Sequence, residues 1–468
     1  MDRASVVTLG EIADFRNGVN FSRDDEGRGM PIVKVKDFGA LHFLPVNELD
    51  ELDSSRIAVS EGQLLQAGDI LIIRSNGNRE LLGRSLIFQG APKAITFSGF
   101  CIRARINKQR AVPEFIHYWL RSPQTRARIT QEGTGTGINN LSQGLLSGLQ
   151  LQLPPIQEQR QIARILGALD DKIELNRRMN VTLEAMAQAI FRDWFVDFGP
   201  TRRKLAFAGA NGAGPKRAGI PDPVEIMGGL VTDPARASTL AALFPAALGD
   251  DGLPVGWESK RVADIAARVA MGPFGSNITK DNFVASGVPV IRGKNLAAGF
   301  IDEDFVFLTP SKAASLATSA ANPGDIVFTH RGTLGQVGRI YKGARHPTYV
   351  ASQSQLVLSV DANLASPIAV YQYFKSDEGQ RAWLANAGGS GVPAISRPTS
   401  SLKEIRFVIP TVGISKEFEQ IALVLEERYV ASVSETRTLT AIRDLLLPKL
   451  MSGEIRLRDA EQFLGGAA

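Results

Sequence analysis

Pro31-Ile-Val-Lys-Val-Lys36 is followed, more than half a chain later, by a second version of itself, Pro289-Val-Ile-Arg-Gly-Lys294. The run Ala67-Gly-Asp-Ile-Leu-Ile-Ile-Arg74 likewise returns as Pro323-Gly-Asp-Ile-Val-Phe-Thr-His330. The two offsets, 289−31=258 and 323−67=256, are nearly equal. Because solenoid repeats are only roughly 20–50 residues long, a period of this length indicates a duplicated domain. Whatever one half of the chain does, we expect the other half to do as well.

Length and composition bound the class of protein. At 468 residues the chain is too long for one hydrophobic core, and the duplication divides it into two. No apolar run approaches the roughly 20 residues that span a bilayer, and the start, Met1-Asp-Arg-Ala-Ser5, has no signal-peptide core, so we expect a cytoplasmic protein. The single cysteine, Cys101, excludes an internal disulfide. The net charge of +5 permits nucleic-acid binding without requiring it.

Each half ends in a long helical run with a heptad seam. Seam residues recur in alternating steps of four and three, the pattern of coiled coils. Both seams are apolar at their ends and polar in the middle, so an antiparallel pairing brings like parts together. We therefore predict an intramolecular antiparallel coiled coil; two unrelated amphipathic helices, each packed on its own domain, are the alternative. The seams are Ile162, Leu166, Leu169, Ile173, Asn176, Asn180, Leu183, Ala187 and Ile190, and Phe418, Ile421, Leu425, Arg428, Ser432, Glu435, Leu439, Ile442 and Leu446.

The predicted fold class is α+β. Two similar mixed α/β domains are separated by the long antiparallel two-helix coiled coil and are related by an approximate two-fold axis. The segment between the halves is rich in Ala, Gly and Pro, which predicts a flexible linker. The predicted divisions are domain 1, residues 1–153; a central spacer helix, 154–198; the linker, 199–253; domain 2, 254–409; a distal spacer helix, 410–457; and a tail, 458–468.

The sequence offers no catalytic residues and no metal site. Its four histidines, His42, His117, His330 and His346, lack ligand spacing, and one cysteine cannot build a zinc site of the usual type. There is no Walker loop. Leu153-Pro-Pro-Ile156 resembles the Asn/Asp-Pro-Pro-Tyr/Phe motif of amino methyltransferases, but it lacks the polar residue for the target amine and the aromatic residue that stacks on the base. We therefore expect a binding or targeting protein rather than an enzyme.

Side chains suited to DNA recognition occupy matched places in the two halves. Arginine and lysine suit guanine, and asparagine and glutamine suit adenine, while glycines let backbone amides approach phosphates. Ordinary surface residues at strand ends and turns are the alternative. Because the matched side chains differ, each half is expected to recognise a different sequence. The predicted DNA contacts are Lys34, Lys36, Arg74, Asn76, Asn78, Arg79, Thr134 and Thr136 in the first half, and Arg292, Lys294, Asn295, His330, Arg331, Thr333 and Ser390 in the second.

A series of further motifs, each weak alone, makes the chain resemble the specificity subunits of type I restriction-modification enzymes. The motifs occur in a specific order, and the resemblance covers the whole chain except residues 199–253. Gly-Asp-Ile is present in both halves. The other motifs are Leu153-Pro-Pro-Ile-Gln-Glu-Gln159, Leu169-Asp-Asp-Lys-Ile173, Phe191-Arg-Asp-Trp-Phe-Val-Asp-Phe198, Leu253-Pro-Val-Gly-Trp257 and Leu446-Leu-Pro-Lys-Leu-Met-Ser-Gly-Glu-Ile455.

The resemblance implies two target-recognition domains, each reading one half of a split, asymmetric DNA site. It implies a subunit with no catalysis and no bound cofactor of its own. Two modification subunits would bind S-adenosylmethionine and methylate adenine, and restriction subunits would use ATP and Mg²⁺. The aromatic residues Phe191, Trp194, Phe195 and Phe198 are predicted to dock a partner subunit, with packing against the neighbouring domain as the alternative.

Two other functions fit the same sequence. The first is an orphan bipartite DNA-binding protein or regulator without enzyme partners. The second is a coiled-coil scaffold that carries two protein-binding domains. The first would lack a neighbouring gene for an adenine methyltransferase, and the second would lack salt-dependent DNA affinity, because phosphate contacts make binding fall steeply with salt.

Overall fold

Both halves of the internal repeat form a mixed α/β domain around a four-stranded antiparallel sheet. The structure is a computed structural model that describes residues 5–39, 42–44, 46, 49–132, 139–208, 222–273, 277–389 and 391–455. The chain divides into two units. Unit 1 contains Met1–Arg178 and Val433–Ala468, and unit 2 contains Met179–Ser432. Each unit therefore holds one domain together with parts of two long helices.

Domain 1 alternates short strands with turns and then forms its helices. The strands are β1 (Ser5–Thr8), β2 (Ala13–Asn17), β3 (Gly29–Val33), β4 (Asp50–Asp53), β5 (Ile70–Ile73), β6 (Ser75–Asn76), β7 (Ser85–Ile87), β8 (Thr96–Phe97), β9 (Cys101–Ile106), β10 (Asn139–Asn140) and β11 (Gln150–Leu153). The helices are α1 (Pro113–Arg121), α2 (Pro123–Glu132), α3 (Gln143–Gly148) and the long α4 (Ile156–Phe191).

The central sheet of domain 1 has the strand order β2-β9-β5-β7. All four residues of β5 are buried, as expected for a short run of apolar, mostly β-branched residues. A second sheet has the order β4-β3-β8, with β3 parallel to β8. The first strand, β1, pairs with β11, placing Ser5 opposite Leu153. This pairing brings the two ends of domain 1 together just before α4 begins.

The central helix ends earlier than predicted. It was expected to run to residue 198, but α4 ends at Phe191 and a π-helical turn follows at Arg192–Val196. The chain then reverses at Phe198, whose φ of +52° lies in the left-handed region that L-residues other than glycine seldom adopt. The helices α5 (Gly199–Ala208), α6 (Pro223–Ile226) and α7 (Pro234–Leu243) come next.

The predicted flexible linker over residues 199–253 is wrong for its described parts, 199–208 and 222–253. These residues form α5 to α7, and their scattered apolar side chains join one buried cluster. Arg203 fastens the segment, because its two terminal nitrogens donate to the Asp193 carboxylate at 2.9 and 2.7 Å and its Nε donates to the Ile226 carbonyl at 2.6 Å. The buried apolar residues of the segment include Phe207, Ile226, Met227, Ala237, Leu240, Ala241 and Phe244.

Domain 2 repeats the plan of domain 1 with additional short strands. Its strands are β12 (Glu258–Arg261), β13 (Ala266–Met271), β14 (Phe283–Val284), β15 (Val288–Ile291), β16 (Val306–Leu308), β17 (Ala320–Ala321), β18 (Ile326–Thr329), β19 (Val337–Arg339), β20 (Tyr349–Ala351), β21 (Gln355–Val360), β22 (Ala387–Gly388), β23 (Ala394–Ile395) and β24 (Arg406–Ile409). Its helices are α8 (Pro310–Ser315), α9 (Pro367–Lys375), α10 (Asp377–Leu384) and α11 (Pro398–Glu404), and the long α12 (Val412–Ser452) follows.

The two domains share one topology. The central sheet of domain 2 has the order β13-β21-β18-β19, which matches β2-β9-β5-β7 strand for strand. The strands β16-β15-β20 correspond to β4-β3-β8, and β15 is parallel to β20 just as β3 is parallel to β8. The pair β12-β24 corresponds to β1-β11. The predicted class, two similar mixed α/β domains with long helices, is confirmed.

Within unit 1, α4 and α12 pair in opposite directions. Arg443 Nη1 donates to Asp170 Oδ1 at 2.7 Å, and Asn176 Nδ2 donates to Glu435 Oε2 at 2.9 Å. Residue numbers therefore rise along one helix as they fall along the other. The apolar ends of the seams meet as well, since Leu439 and Ile442 pack against the buried cluster that contains Leu166 and Leu169. The antiparallel pairing and its polar centre, both predicted from the heptads, are confirmed in this unit.

Within unit 2, the remaining parts of the same helices pair through apolar residues. The Phe191 ring of α4 lies 5.8 Å, centroid to centroid, from the Phe418 ring of α12. Domain 2 is fastened to both helices by polar contacts. Arg339 forms an ion pair with Glu426 of α12, and Lys375 lies 2.6 Å from Glu184 of α4. Each unit thus joins its domain to a segment of the helix pair.

Candidate nucleic-acid interface

A cleft in domain 2 lies where three strands end. Arg292 follows β15, Arg331 comes shortly after β18, and residues 352–354 follow β20. None of the described residues that line this cleft is acidic. Its polar side chains are instead long hydrogen-bonding groups, which suit phosphate oxygens and the edges of bases. They include Arg292, Arg331, Thr333, Gln336 and Gln353.

Arg292 lies at the start of a tight turn and is partly buried. Its backbone N–H donates to Asn295 Oδ1 at 3.0 Å and starts a 3₁₀ turn at Gly293–Leu296. The Arg292 Nε is buried, and no described residue accepts a hydrogen bond from it. A buried donor without a partner is uncommon in proteins. An anionic or carbonyl oxygen entering the cleft would satisfy this donor.

The far wall of the cleft is a rigid turn at residues 352–354. Ser352 N donates to the Ile291 carbonyl at 3.0 Å, and Gln355 N donates back to the Ser352 carbonyl at 2.9 Å. His330 N donates to the Ser354 carbonyl at 3.0 Å. These bonds hold the exposed Gln353 side chain at the mouth of the cleft.

Domain 1 has the same turn at residues 98–100. Ser98 N donates to the Val33 carbonyl at 2.9 Å, and Cys101 N donates to the Ser98 carbonyl at 2.8 Å. Arg74 N donates to the Phe100 carbonyl at 2.9 Å. Phe100 therefore corresponds to Ser354 of domain 2, and Arg74 corresponds to His330. The same frame presents different side chains in the two domains.

The chain is similar in sequence to known proteins. The family model described as the type I restriction modification DNA specificity domain matches residues 1–185. The HindI specificity subunit of Haemophilus influenzae is 28% identical over 379 residues, 75% of this chain and 79% of that protein. The MjaIX specificity subunit of Methanocaldococcus jannaschii is 22% identical over 462 residues, 98% and 94% of the two chains. The chain is thus similar over nearly its whole length to type I restriction-modification specificity subunits, and residues 1–185 match the family's DNA specificity domain.

A solved structure agrees in fold with this chain. The crystal structure of the type I restriction-modification S subunit from M. genitalium superposes with a TM-score of 0.50. The alignment covers 96% of each chain at 15% sequence identity. At that identity the likeness concerns the fold alone.

Two residues predicted to contact DNA instead support the cleft through their buried side chains. Asn295 is only 1% exposed, and its Nδ2 donates to the Glu303 carbonyl at 2.8 Å. His330 is 7% exposed, and its Nε2 donates to the Gln353 carbonyl at 3.1 Å. Burial also lowers the pKa of His330, which favours the neutral ring. The predictions for Asn295 and His330 are wrong as direct contacts, because both side chains are buried and already paired.

The lysines of domain 1 differ in availability. Lys34 Nζ lies 2.6 Å from Glu26 and 2.9 Å from Asp50, and it also sits over the Phe21 ring. Burial opposes its charge, but the hydrogen bonds to Glu26 and Asp50 outweigh that effect and raise the pKa of Lys34. Lys36 Nζ lies 2.7 Å from Asp50, and the Lys36 side chain is 57% exposed. Lys34 is therefore a structural residue, and Lys36 stays a prediction as a DNA contact.

The polar residues after β5 form a turn through their own side chains. Asn78 N donates to Asn76 Oδ1 at 2.7 Å, and Glu80 N donates to Asn78 Oδ1 at 3.0 Å. Arg79 Nη2 donates to the Thr130 carbonyl at 2.8 Å. The oxygens of Asn76 and Asn78 are thus used within the turn. Their amide groups and the Arg74 side chain stay predictions as DNA contacts.

The remaining predicted contacts differ in how far the structure describes them. Thr333 lines the domain 2 cleft and is exposed. Lys294 Nζ is 3.6 Å from Asp304, and both side chains are largely exposed, so this ion pair is weak. Thr134, Thr136 and Ser390 lie outside the described residues.

Sequence reasoning missed the glutamines of the cleft. Gln336 and Gln353 line it, and Gln336 Oε1 accepts a hydrogen bond from Thr329 Oγ1 at 3.0 Å. The available signal was the repeat itself. Aligning β8 with β20 would have placed Gly99 opposite Gln353 and drawn attention to both turns.

The aromatic patch predicted to dock a partner is part of the core of unit 2. Trp194 is 1% exposed, and its ring centroid lies 5.1 Å from that of Phe244 and 6.2 Å from that of Phe418. Phe191 and Phe195 are also buried, and the half-buried Phe198 packs against Trp257. The docking prediction is wrong for the three buried rings, because the segment predicted to be a linker covers them. Packing against the neighbouring elements, the stated alternative, describes the patch.

Within the described residues, no group of three or more histidine, cysteine, aspartate or glutamate side chains is arranged to hold a metal ion. Among the helices that they form, none is both long and apolar enough to cross a membrane.

Proposed function

We propose that this chain is a specificity subunit that reads a bipartite, asymmetric DNA site, with one half-site for each of the two domains. The acid-free cleft of domain 2 carries the proposal, because it presents Arg292, Arg331 and Gln353 together at the ends of three strands. Guanine is read by arginine and adenine by glutamine in the major groove. Domain 1 has the same frame with different side chains at the matched turn, which supports recognition of two different half-sites.

The same proposal covers the partners. The chain would recruit two modification subunits that use S-adenosylmethionine to methylate adenine in each half-site. Restriction subunits, using ATP and Mg²⁺, would join the same assembly. The chain itself would be a non-catalytic targeting subunit. Sequence similarity supports these assignments, since the relatives are named as specificity subunits of type I restriction enzymes.

A methylation map tests the central claim. N6-methyladenine would be mapped across the genome with the gene present, deleted and restored. Deletion should abolish methylation at one split motif, two short half-sites separated by an unread spacer, and restoration should return it. Methylation that is unchanged after deletion would refute the proposed role.

The domain 2 cleft is tested by Arg331→Ala in the complex with its modification subunits. Loss of a base contact costs about 1–3 kcal/mol and relaxes specificity at one position, whereas loss of a phosphate contact weakens all sequences and lowers the salt slope by about 1. Arg381→Ala is the matched control, because Arg381 is an exposed arginine of the same domain that pairs with Glu378 at 3.0 Å outside the cleft. Equal DNA affinity for both variants and the unmodified chain would exclude the cleft.

A further inference from the structure

Phe100 is an exposed aromatic side chain on a rigid turn of domain 1. It is 59% exposed, and no other phenylalanine, tyrosine or tryptophan in the described ranges is classed as exposed. It occupies the end of the turn between β8 and β9. An isolated exposed ring of this kind forgoes the stabilisation that burial would provide. The ring lies next to Arg74, a predicted DNA contact whose backbone N–H donates to the Phe100 carbonyl, so DNA binding could compensate for this exposure.

The backbone holds Phe100 firmly. Gly99 N donates to the Val19 carbonyl at 2.7 Å, and the Phe100 carbonyl accepts from Arg74 N at 2.9 Å. The turn also lies directly against Gly18, where a Cβ atom would collide with the carbonyl oxygens of residues 97 and 98. A ring presented on such a fixed backbone loses little conformational entropy when it binds.

Domain 2 shows which surface this turn belongs to. Gly272 corresponds to Gly18, and a Cβ atom there would collide with the Ser352 carbonyl of the matched turn. That turn forms one wall of the acid-free cleft, and Ser354 occupies the place of Phe100. Phe100 therefore lies on the face of domain 1 that corresponds to the proposed reading face of domain 2.

We propose that Phe100 reads the half-site of domain 1 through an apolar contact with the C5 methyl group of a thymine. This inference rests on the proposed function. A phenyl ring has no hydrogen-bonding group, and the thymine methyl is the apolar feature that the major groove presents. Domain 2, with serine at this place and glutamine beside it, reads its half-site by hydrogen bonds instead. Phe100 is thus a specificity-determining residue for domain 1 alone.

The test uses the full chain assembled with its modification subunits. Each thymine of both half-sites, as found by the methylation map, is replaced singly by deoxyuracil, which lacks only the methyl group. Loss of one buried methyl contact should weaken binding about three- to tenfold at one position. Phe100→Ser, which installs the domain 2 side chain, should bind thymine and uracil equally at that position. Phe100→Leu, which keeps an apolar group, should retain the difference.

Controls separate this inference from misfolding and from failure of the proposed function. Val6→Ser removes another exposed apolar side chain of domain 1, on β1, and should leave the uracil profile unchanged. Inaccessibility of Cys101 to thiol reagents in Phe100→Ser would show that the turn is intact, since Cys101 is buried beside it.

Three results would overturn the methyl contact. The first is that replacing thymine by deoxyuracil leaves DNA binding unchanged at every position. The second is that Phe100→Ser distinguishes thymine from uracil as strongly as the unmodified chain does. A DNA bend that disappears in Phe100→Ser, without methyl dependence, would make the ring a wedge between base steps. The proposed function itself fails if DNA with scrambled half-sites binds as tightly as DNA with the mapped ones. Any of the three results above could occur while the proposed function still holds.

Discussion

Asp170 of α4 is a buried carboxylate that links three helices of unit 1. It is 3% exposed and accepts hydrogen bonds from Tyr118 Oη at 2.9 Å, Arg121 Nη1 at 3.1 Å and Arg443 Nη1 at 2.7 Å. It therefore joins α1 of domain 1 to both long helices. We predict that Asp170→Asn, which keeps the shape and removes the charge, destabilises unit 1 more than any nearby surface change.

The size of the loss follows from what each partner retains. Removing one member of a buried ion pair costs about 3–5 kcal/mol. Arg443 keeps a second carboxylate, Asp444 at 2.8 Å, and Arg121 is partly exposed to water. These two compensations place the expected loss near the lower end, about 3 kcal/mol. Because about 1.4 kcal/mol corresponds to a factor of ten, the opening equilibrium of unit 1 should rise about a hundredfold.

Hydrogen exchange of amides in α1 and β9 measures this loss, because it reports on unit 1 without interference from unit 2. Asp171→Asn is the matched control, since the neighbouring Asp171 is exposed. A loss below about 0.5 kcal/mol, the range of ordinary surface substitutions, or an equal loss in Asp171→Asn, would refute the reasoning.

The pH dependence of Asp170 has a definite sign. Burial alone would raise the pKa of Asp170, but Arg121, His42 and Arg443 outweigh it and lower the pKa. A lowered folded-state pKa stabilises the protein fully above the unfolded value of about 3.9, and that stabilisation is lost as the pH falls through the folded value. The difference in unfolding free energy between the unmodified chain and Asp170→Asn should thus persist at about pH 5 and above and shrink below about pH 4.

Three further predictions concern the cores and the seam. Trp194→Ala should lower the unfolding free energy of unit 2 by about 3–5 kcal/mol in urea titrations; a fully stable variant that fails to bind modification subunits would restore the docking role. Asn176→Leu should raise the unfolding free energy of unit 1 by about 1 kcal/mol, because a polar residue at a seam position costs stability. Glu435 would still form its ion pair with Lys172 at 3.3 Å. A less stable variant would contradict the seam assignment. Burial raises the pKa of the Cys101 thiol, so thiol reagents should modify it only after unfolding, and stoichiometric labelling of the native chain at pH 8 would show otherwise.

The duplication and the helix pair were predictable because their signals extend over many residues. Nine seam positions in each helix repeat with one period, so a single unusual residue does not hide the pattern. The polar centres of the two seams were expected to meet, and the structure brings the side chains of Asn176 and Glu435, one from each centre, within 2.9 Å. Long periodic patterns constrain both the element and its partner.

The linker and the aromatic patch were mispredicted for one shared reason. Composition rich in alanine, glycine and proline indicates disorder, but Asp222-Pro223 and Asp233-Pro234 are also helix starts. Both aspartates do cap helices, with Val224 N and Arg236 N donating to them at 3.0 and 2.7 Å. Interpreting those two dipeptides as helix N-caps would have predicted helices in place of the linker. Short amphipathic helices pack on an apolar surface, and the aromatic patch provides one.

Some residues predicted to contact DNA are already paired with protein groups that lie elsewhere in the sequence. Lys34 looked like a free lysine, yet its acidic partners come from eight residues before it and sixteen residues after it, 34−26=8 and 50−34=16. His330 is occupied by the carbonyl of Gln353. Local sequence shows residue type and spacing, but it does not show which groups the tertiary fold has already paired. Arg331 was selected because it comes shortly after a buried strand; the structure places it in the lining of the cleft, and its DNA contact stays a prediction.

The two long helices also set an order of assembly on the ribosome. Unit 2 is one continuous segment, whereas the core of unit 1 includes Leu446, Leu447 and Leu450 from the last part of α12. Between Arg178 and Val433 the nascent chain must grow by 432−178=254 residues. At about 5–20 residues per second this takes about 13–50 s. Unit 1 is therefore synthesised first but completed second. During that interval the leucine face of α4 is exposed to solvent, and a chaperone that binds nascent chains would protect it.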